Sequence, residues 1–167
     1  MNFSQWGKEP EQTGYETNTL KEMVKATVDI PEGFNVHSRL RRMYIEDRLK
    51  SINNDKVDWA SAEAMALGSL AFEGYNTRLV GEDSERGTFS QRHMVFHDQD
   101  NGNECRPFRD SQFMKQAKGR MQVYNTNLCE LGSMAYEYGY SLESPKNLCI
   151  WEAQFGDFYN PAQLVVD

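Results

Sequence analysis

Four groups of side chains in this 167-residue chain have types and spacing that could do chemistry. Glu130 stands where a strand-like run gives way to a helical one, the place where open α/β sheets present groups to ligands. A first-turn glutamate that favours the helix dipole would occupy the same position, and the residues alone leave both readings open. The segment from Gly81 to His93, with Glu82, Asp83, Glu85, Arg86, Gln91 and Arg92, holds more polar and ionisable groups than a connection needs. It reads either as a working loop or as a solvated loop held by local ion pairs. Glu152, Gln154, Phe155, Asp157 and Phe158 follow an apolar run directly and mix carboxylates with aromatic plugs. His93 and His97 have a metal-ligand spacing for a helix, but their surroundings are strand-like and no third ligand accompanies them. No metal site is expected.

These residues need elements to hold them. Residues 1–38 are rich in Gly, Pro, Thr and Asn and read as an extended arm with a short helix at about Leu20 to Thr27. Leu40, Met43, Tyr44, Leu49 and Ile52 recur among charges and predict an amphipathic helix from Arg39 to Ile52. Asp58 can cap a second helix, filled with alanines from Ala60 to Ala71 and closed by Gly74, and so many small residues predict close packing on another element. Strands are expected at Tyr75 to Val80, His93 to Phe96 and Met121 to Tyr124, with a loop from Asp98 to Arg120. A helix from Glu130 should end in Gly139, Leu148 to Trp151 reads as a buried parallel strand, and Asn160-Pro161 restarts a helix. The class is α/β with a mainly parallel sheet and flanking helices.

Composition narrows the functions. Lys and Arg number 18 against 25 Asp and Glu, a formal charge of −7, which argues against general binding of nucleic acid or anionic membranes but leaves room for a local basic patch. Hydrophobic residues at 39% supply one core, and no run approaches the ~18 apolar residues of a membrane span. Cys105, Cys129 and Cys149 form no CxxC pair, so neither a disulfide framework nor a zinc knuckle is expected, and a reducing compartment is the default. The first twenty residues look like neither a signal nor a transit peptide.

The same segments also carry a family likeness. Asp58-Trp59-Ala60-Ser61-Ala62-Glu63-Ala64, Gly81 through His93, Leu128-Cys129-Glu130, Tyr136 through Ser141 and Trp151 through Phe158 resemble, in order, the signatures of the 2-oxoglutarate dehydrogenase decarboxylating component. The stretch from Pro31 to Arg42 resembles what precedes that domain. The resemblance implies an incomplete transketolase-like pyrimidine-binding domain over residues 39–167, preceded by the arm. It implies that Glu130 hydrogen-bonds the pyrimidine ring nitrogen of thiamine diphosphate, that Phe155 stacks on that ring with Phe158 beside it, and that Glu82, Gln91 and His93 lie on a substrate loop, with His93 catalytic. Gln91 stands where the family often has the first of two histidines, a substitution shared with some members and with the related 2-oxoadipate enzymes, so the resemblance does not fix the substrate. Cys129 replaces a serine, and Pro161 stands where small residues such as Gly are common.

No GDG-type motif for diphosphate and metal occurs in the 167 residues, and the family domain continues beyond Val166 with further strands. The chain alone is therefore expected to bind no cofactor, and thiamine diphosphate with Mg2+ only when a partner chain completes the site. The resemblance points to the mitochondrion and to protein partners in a respiratory or 2-oxo acid dehydrogenase assembly. Two roles are expected in turn: an accessory or structural subunit that is not catalytic alone, or part of an active dehydrogenase completed by another chain.

Overall fold

The computed structural model describes residues 12–127, 129–154 and 159–166. Helix α4 (Trp59–Glu73) forms as its sequence predicts: the Asp58 carboxylate accepts the Ser61 amide at 2.7 Å, and Gly74 closes the helix at φ 95. Its small face packs on α1 (Thr17–Ala26), which starts earlier than expected because the Glu16 side chain caps the amides of Asn18 and Thr19. Met23 lies against Gly68, where an added Cβ would come within 2.9 Å of the Met23 sulfur. Met23, Ala64, Leu67, Leu79, Phe108 and Val123 belong to one buried cluster.

The predicted helix from Arg39 to Ile52 is present as three joined segments, α2 (Ser38–Leu40), a π-helical turn (Arg41–Glu46) and α3 (Asp47–Asn53). The wide turn brings Tyr44 and Ile45 inward and leaves Met43 exposed. They join a second buried cluster under the hairpin of β2 (Phe96–His97) and β3 (Glu104–Cys105), which pair antiparallel.

The main sheet has the order β4 (Met121–Asn125), β1 (Asn76–Gly81), β5 (Asn147–Glu152), all parallel. Parallel pairing sets the carboxyl ends in one row, Asn125 and Glu152 both opposite Gly81. Helix α6 (Glu130–Ser141) starts just beyond that row and is tied to the sheet by an ion pair. Arg78 of β1 grips buried Glu137 through Nε (2.8 Å) and Nη2 (3.0 Å), with the rings of Tyr124, Tyr136 and Tyr140 about its guanidinium. Helix α7 (Tyr159–Val166) follows β5.

Four expectations need correction. The strand at His93 to Phe96 is confined to Phe96–His97, because the amides of Arg92 and His93 bond to the Arg86 carbonyl and that of Met94 to Glu85, while His93 sits at φ 41. The stretch from Asp98 to Arg120 is no plain loop: it contains β3, α5 (Pro107–Asp110) and a 3-10 turn (Met114–Gln116). Gly139 does not end α6, which continues to Ser141. Strand β5 is parallel but half-exposed rather than buried, since among the described residues it is bonded on one side only.

One buried side chain joins helix, loop and sheet. Arg92 is 2% exposed and uses all five guanidinium donors. Nε and Nη2 grip Glu63 of α4 at 2.7 and 3.1 Å, Nη1 and Nη2 grip Glu152 of β5 at 2.7 and 2.8 Å, and Nη1 also reaches the Ser84 carbonyl at 2.7 Å. Burial would lower the pKa of this arginine, but hydrogen bonds and charge from Glu152 and Glu63 raise it above its ordinary value. Burial likewise pushes Glu152 up, and the hydrogen bonds from Arg92 and Ser84 outweigh it, holding this carboxyl below the usual range.

Two outcomes follow from this packing. Gly81→Ala places a Cβ against the Glu152 carbonyl oxygen and 2.6 Å from Ser84 Oγ, and we expect it to cost about 2 kcal/mol or more through forced separation of β1 and β5, read as a lowered denaturant midpoint. Arg92→Met strands two carboxylates and should cost about 3 kcal/mol at neutral pH. Because the folded pKa of Glu152 is depressed, its contribution is present above the ordinary carboxylate range and lost as pH falls through the folded value. The loss on acidification should therefore be steeper in the parent than in the variant, and equal acid limbs in urea titrations would contradict this assignment.

Candidate active site

The row of strand ends opens into a shallow concavity lined by Glu82, Thr126, Asn127, Cys129, Glu130, Ser133, Trp151, Glu152 and Gln154. Every element contributes through its end. β1 delivers Glu82, whose carbonyl accepts from Gln154 Nε2 at 2.7 Å, just past β5. The turn after β4 is fixed by the Thr126 amide on the Gly81 carbonyl at 2.9 Å and by Asn125, whose Oδ1 accepts from the Glu85 amide at 2.9 Å. Cys129 is the N-cap of α6 without a side-chain cap bond, so Glu130 occupies the first helical position.

Glu130 is half-buried there, and its carboxylate has neither an ion pair nor a side-chain hydrogen bond among the described residues. That distinguishes it from Glu63, Glu85, Glu137 and Glu152, each of which is held by an arginine. A partly dehydrated carboxylate facing a concavity without a cation is suited to accept a hydrogen bond from, or exchange a proton with, a ligand nitrogen.

Of the residues proposed from sequence, the structure brings Glu82 and Glu130 to one rim. Gln91 and His93 are not among the residues lining it. The Gln91 side chain accepts from the Phe89 amide at 2.9 Å, and an added Cβ at Gly87 would collide with it, so it staples the loop. His93 packs edge-on against the Tyr44 ring, centroids 4.8 Å apart, and beside Phe96. Burial, then the cations of Arg86 and Arg48, push its pKa down to about 4, so the ring is neutral at physiological pH. His97 is exposed on β2, and no cluster of three or more metal-ligating side chains occurs among the described residues. Phe155 and Phe158 lie outside the described residues.

The loop from Glu82 to Arg92 is more built than its polarity announces. Asp83 and Ser90 within it, and His93 just after it, all have positive φ without being glycine, as its tight returns require. The local ion pair weighed from sequence exists, Arg86 to Asp83 at 2.9 Å. The decisive ones are long-range. Arg92 reaches α4 and β5, Arg48 Nη2 holds the Gln91 carbonyl at 2.9 Å, and Tyr44 donates its hydroxyl to the Arg92 carbonyl while accepting from Arg48. Sequence reading missed Tyr44, Arg48 and Glu63 as loop supports, for their partners are 29 to 48 residues away.

Comparison with known proteins gives the arrangement a lineage. Residues 55–166 match the transketolase, pyrimidine binding domain family. The chain is 47% identical over 155 residues to a probable 2-oxoadipate dehydrogenase complex component E1 homolog of Dictyostelium discoideum, covering 93% of the chain and 17% of that protein. It is 47% identical over 158 residues to the mitochondrial 2-oxoglutarate dehydrogenase of Saccharomyces cerevisiae, 94% of the chain and 15% of that protein. It is 45% identical over 157 residues to the 2-oxoglutarate dehydrogenase E1 component of Brucella ovis, 93% and 15%. The chain thus spans about one sixth of the length of these curated relatives. With the strand ends, Glu130 and the parallel sheet all in the matched segment, the chain belongs to the transketolase pyrimidine-binding domain family.

Proposed function

We propose that this chain supplies the aminopyrimidine side of a thiamine diphosphate site in the E1 component of a 2-oxo acid dehydrogenase, and that it is not catalytic by itself. The observation that carries this reading is Glu130, a half-buried carboxylate with no ion pair among the described residues, at the start of α6 on the rim of the strand-end concavity. A pyrimidine ring nitrogen needs such a carboxyl to share its proton, and an arginine partner would quench that ability. Thiamine diphosphate, when bound, supplies the carbon nucleophile that makes decarboxylation of a 2-oxo acid feasible.

The chain's own part is limited and specific. Glu130 holds or moves the proton at the ring nitrogen, Glu82 and Gln154 form the facing rim, and Phe155 and Phe158 are assigned by family likeness to the ring faces. His93, neutral and backed by Tyr44, can accept or donate one hydrogen bond on the substrate loop without adding charge beside an anionic substrate. Diphosphate and Mg2+ are left to another domain. The named location of the yeast relative supports a mitochondrial assembly. A second reading, an accessory or structural subunit of such an assembly, is favoured by the exposed apolar side chains Leu142, Leu164 and Val166 about α6 and α7, which a neighbouring chain would cover.

Titrating the chain with thiamine diphosphate and Mg2+ should give no saturable binding. Adding a chain that carries the diphosphate-binding domain should restore both binding and decarboxylation of 2-oxoglutarate, and Glu130→Ala should lower turnover about 100-fold or more. Assembly that proceeds with no cofactor, indifferent to Glu130→Ala, would replace this reading by the accessory one.

His93 gives a pH test. Its folded pKa lies below the ordinary value of about 6.5, so the unfolded chain binds the extra proton first and stability is lost as pH falls from there toward about 4. His93→Gln should flatten stability over that window, and an NMR titration of the ring with a midpoint near 6.5 would contradict the burial of His93 under the loop.

A further inference from the structure

A groove of about 560 Å3 runs along the outer edge of the sheet and shares no lining residue with the Glu130 concavity. One wall is β4, which among the described residues is paired only with β1. The other wall is the segment from Arg106 to Gly119. The Thr77 amide bonds to the Arg120 carbonyl and the Thr126 amide to the Gly81 carbonyl, so even-numbered residues of this stretch face β1. By the alternation of a parallel ladder, the backbone groups of Met121 and Val123 face the groove. Arg106 donates to the Val123 carbonyl at 3.2 Å and closes one end, itself held by Glu85 and Glu104.

The charge of this groove runs against that of the chain. Net charge is −7, yet the groove is lined by Arg106, Arg109, Lys115, Lys118 and Arg120, with Asp110 the only carboxylate among the described lining residues. Asp110 is taken by Arg109 at 2.7 Å, whereas Lys115, Lys118 and Arg120 are exposed and have no ion pair among the described residues. Between these cations the floor is apolar, with Met94, Phe108 and Met114 buried.

We propose that this groove docks an extended acidic segment of a partner protein, which adds beside β4 as a further strand. The outward amides of Met121 and Val123 and the Met121 carbonyl, the Val123 carbonyl being held by Arg106, select an extended chain, since a compact anion could meet the cations but not these groups. The unpaired cations select acidic side chains, and they repel the same edge of a second copy, which disfavours self-pairing. Nothing in this proposal depends on Glu130 or on cofactor binding.

The test is fluorescence anisotropy of the full chain with a labelled peptide of alternating Val and Glu, the same peptide with Lys for Glu, and inorganic pyrophosphate as competitor. The Glu peptide should bind saturably, the Lys peptide should not, and Lys115→Glu with Lys118→Glu should weaken binding about tenfold. Amide exchange at Met121 and Val123 should slow on binding. Lys115→Gln with Lys118→Gln, a milder surface change, should weaken binding in the same direction. The proposal is overturned if neither peptide binds, if the Lys peptide binds equally well, or if pyrophosphate displaces the Glu peptide while the Met121 and Val123 amides exchange unchanged.

Discussion

The grip of Arg92 on two carboxylates is the interaction on which the working end of this domain depends. A guanidinium 2% exposed would be costly on its own, several kcal/mol after relaxation. Two bidentate glutamates and a carbonyl offset that penalty by satisfying every donor. Because Glu63 is on α4, Glu152 ends β5 and Ser84 lies in the loop, the same contacts that make the buried charge tolerable also fix three elements in relation to one another. Ser84 Oγ adds a bond to Glu152 at 2.7 Å, closing the network.

A second arginine does the corresponding work on the other face. Arg78 and Glu137 seat α6 on the sheet, and with it the start of the helix where Glu130 stands. The contrast among the carboxylates is informative. Glu63, Glu85, Glu137 and Glu152 are held by arginines, whereas Glu130, at the carboxyl ends of three parallel strands, has no ion pair among the described residues. Parallel pairing is what makes that placement general, since it delivers all strand ends to one side. Loop strain at Asp83, Ser90 and His93 is held against relaxation by Tyr44 and Arg48 from the far side.

Much of this was legible in the residues. Asp58, the alanine face and Gly74 defined α4, since capping and helix propensity are local properties, and the junction at Glu130 was visible for the same reason. The strand at His93 failed because its backbone amides are claimed by Glu85 and Arg86, a tight return that alternation of side chains does not encode. The apolar run of β5 predicts burial, but burial depends on which neighbours a strand has. The loop's composition raised the question of ion pairs without answering it: Arg86 found its partner three residues away, Arg92 found its partners 29 and 60 residues away. Family likeness suggests the role proposed for Glu130, and the geometry sets it, with Glu82, apart from the arginine-held glutamates Glu63, Glu85, Glu137 and Glu152.

Trp151 lines the same concavity as Glu130 and offers the most direct measurement. The chain would be labelled with 5-fluorotryptophan, placing reporters at Trp6, Trp59 and Trp151, and bound to an unlabelled chain carrying the diphosphate site. Its 19F spectrum would then be followed as thiamine diphosphate and Mg2+ are added. The account predicts a saturable shift of the Trp151 resonance, with exposed Trp59 unmoved. Cofactor bound to the assembly with Trp151 unmoved would contradict the assignment of the pyrimidine site to these strand ends.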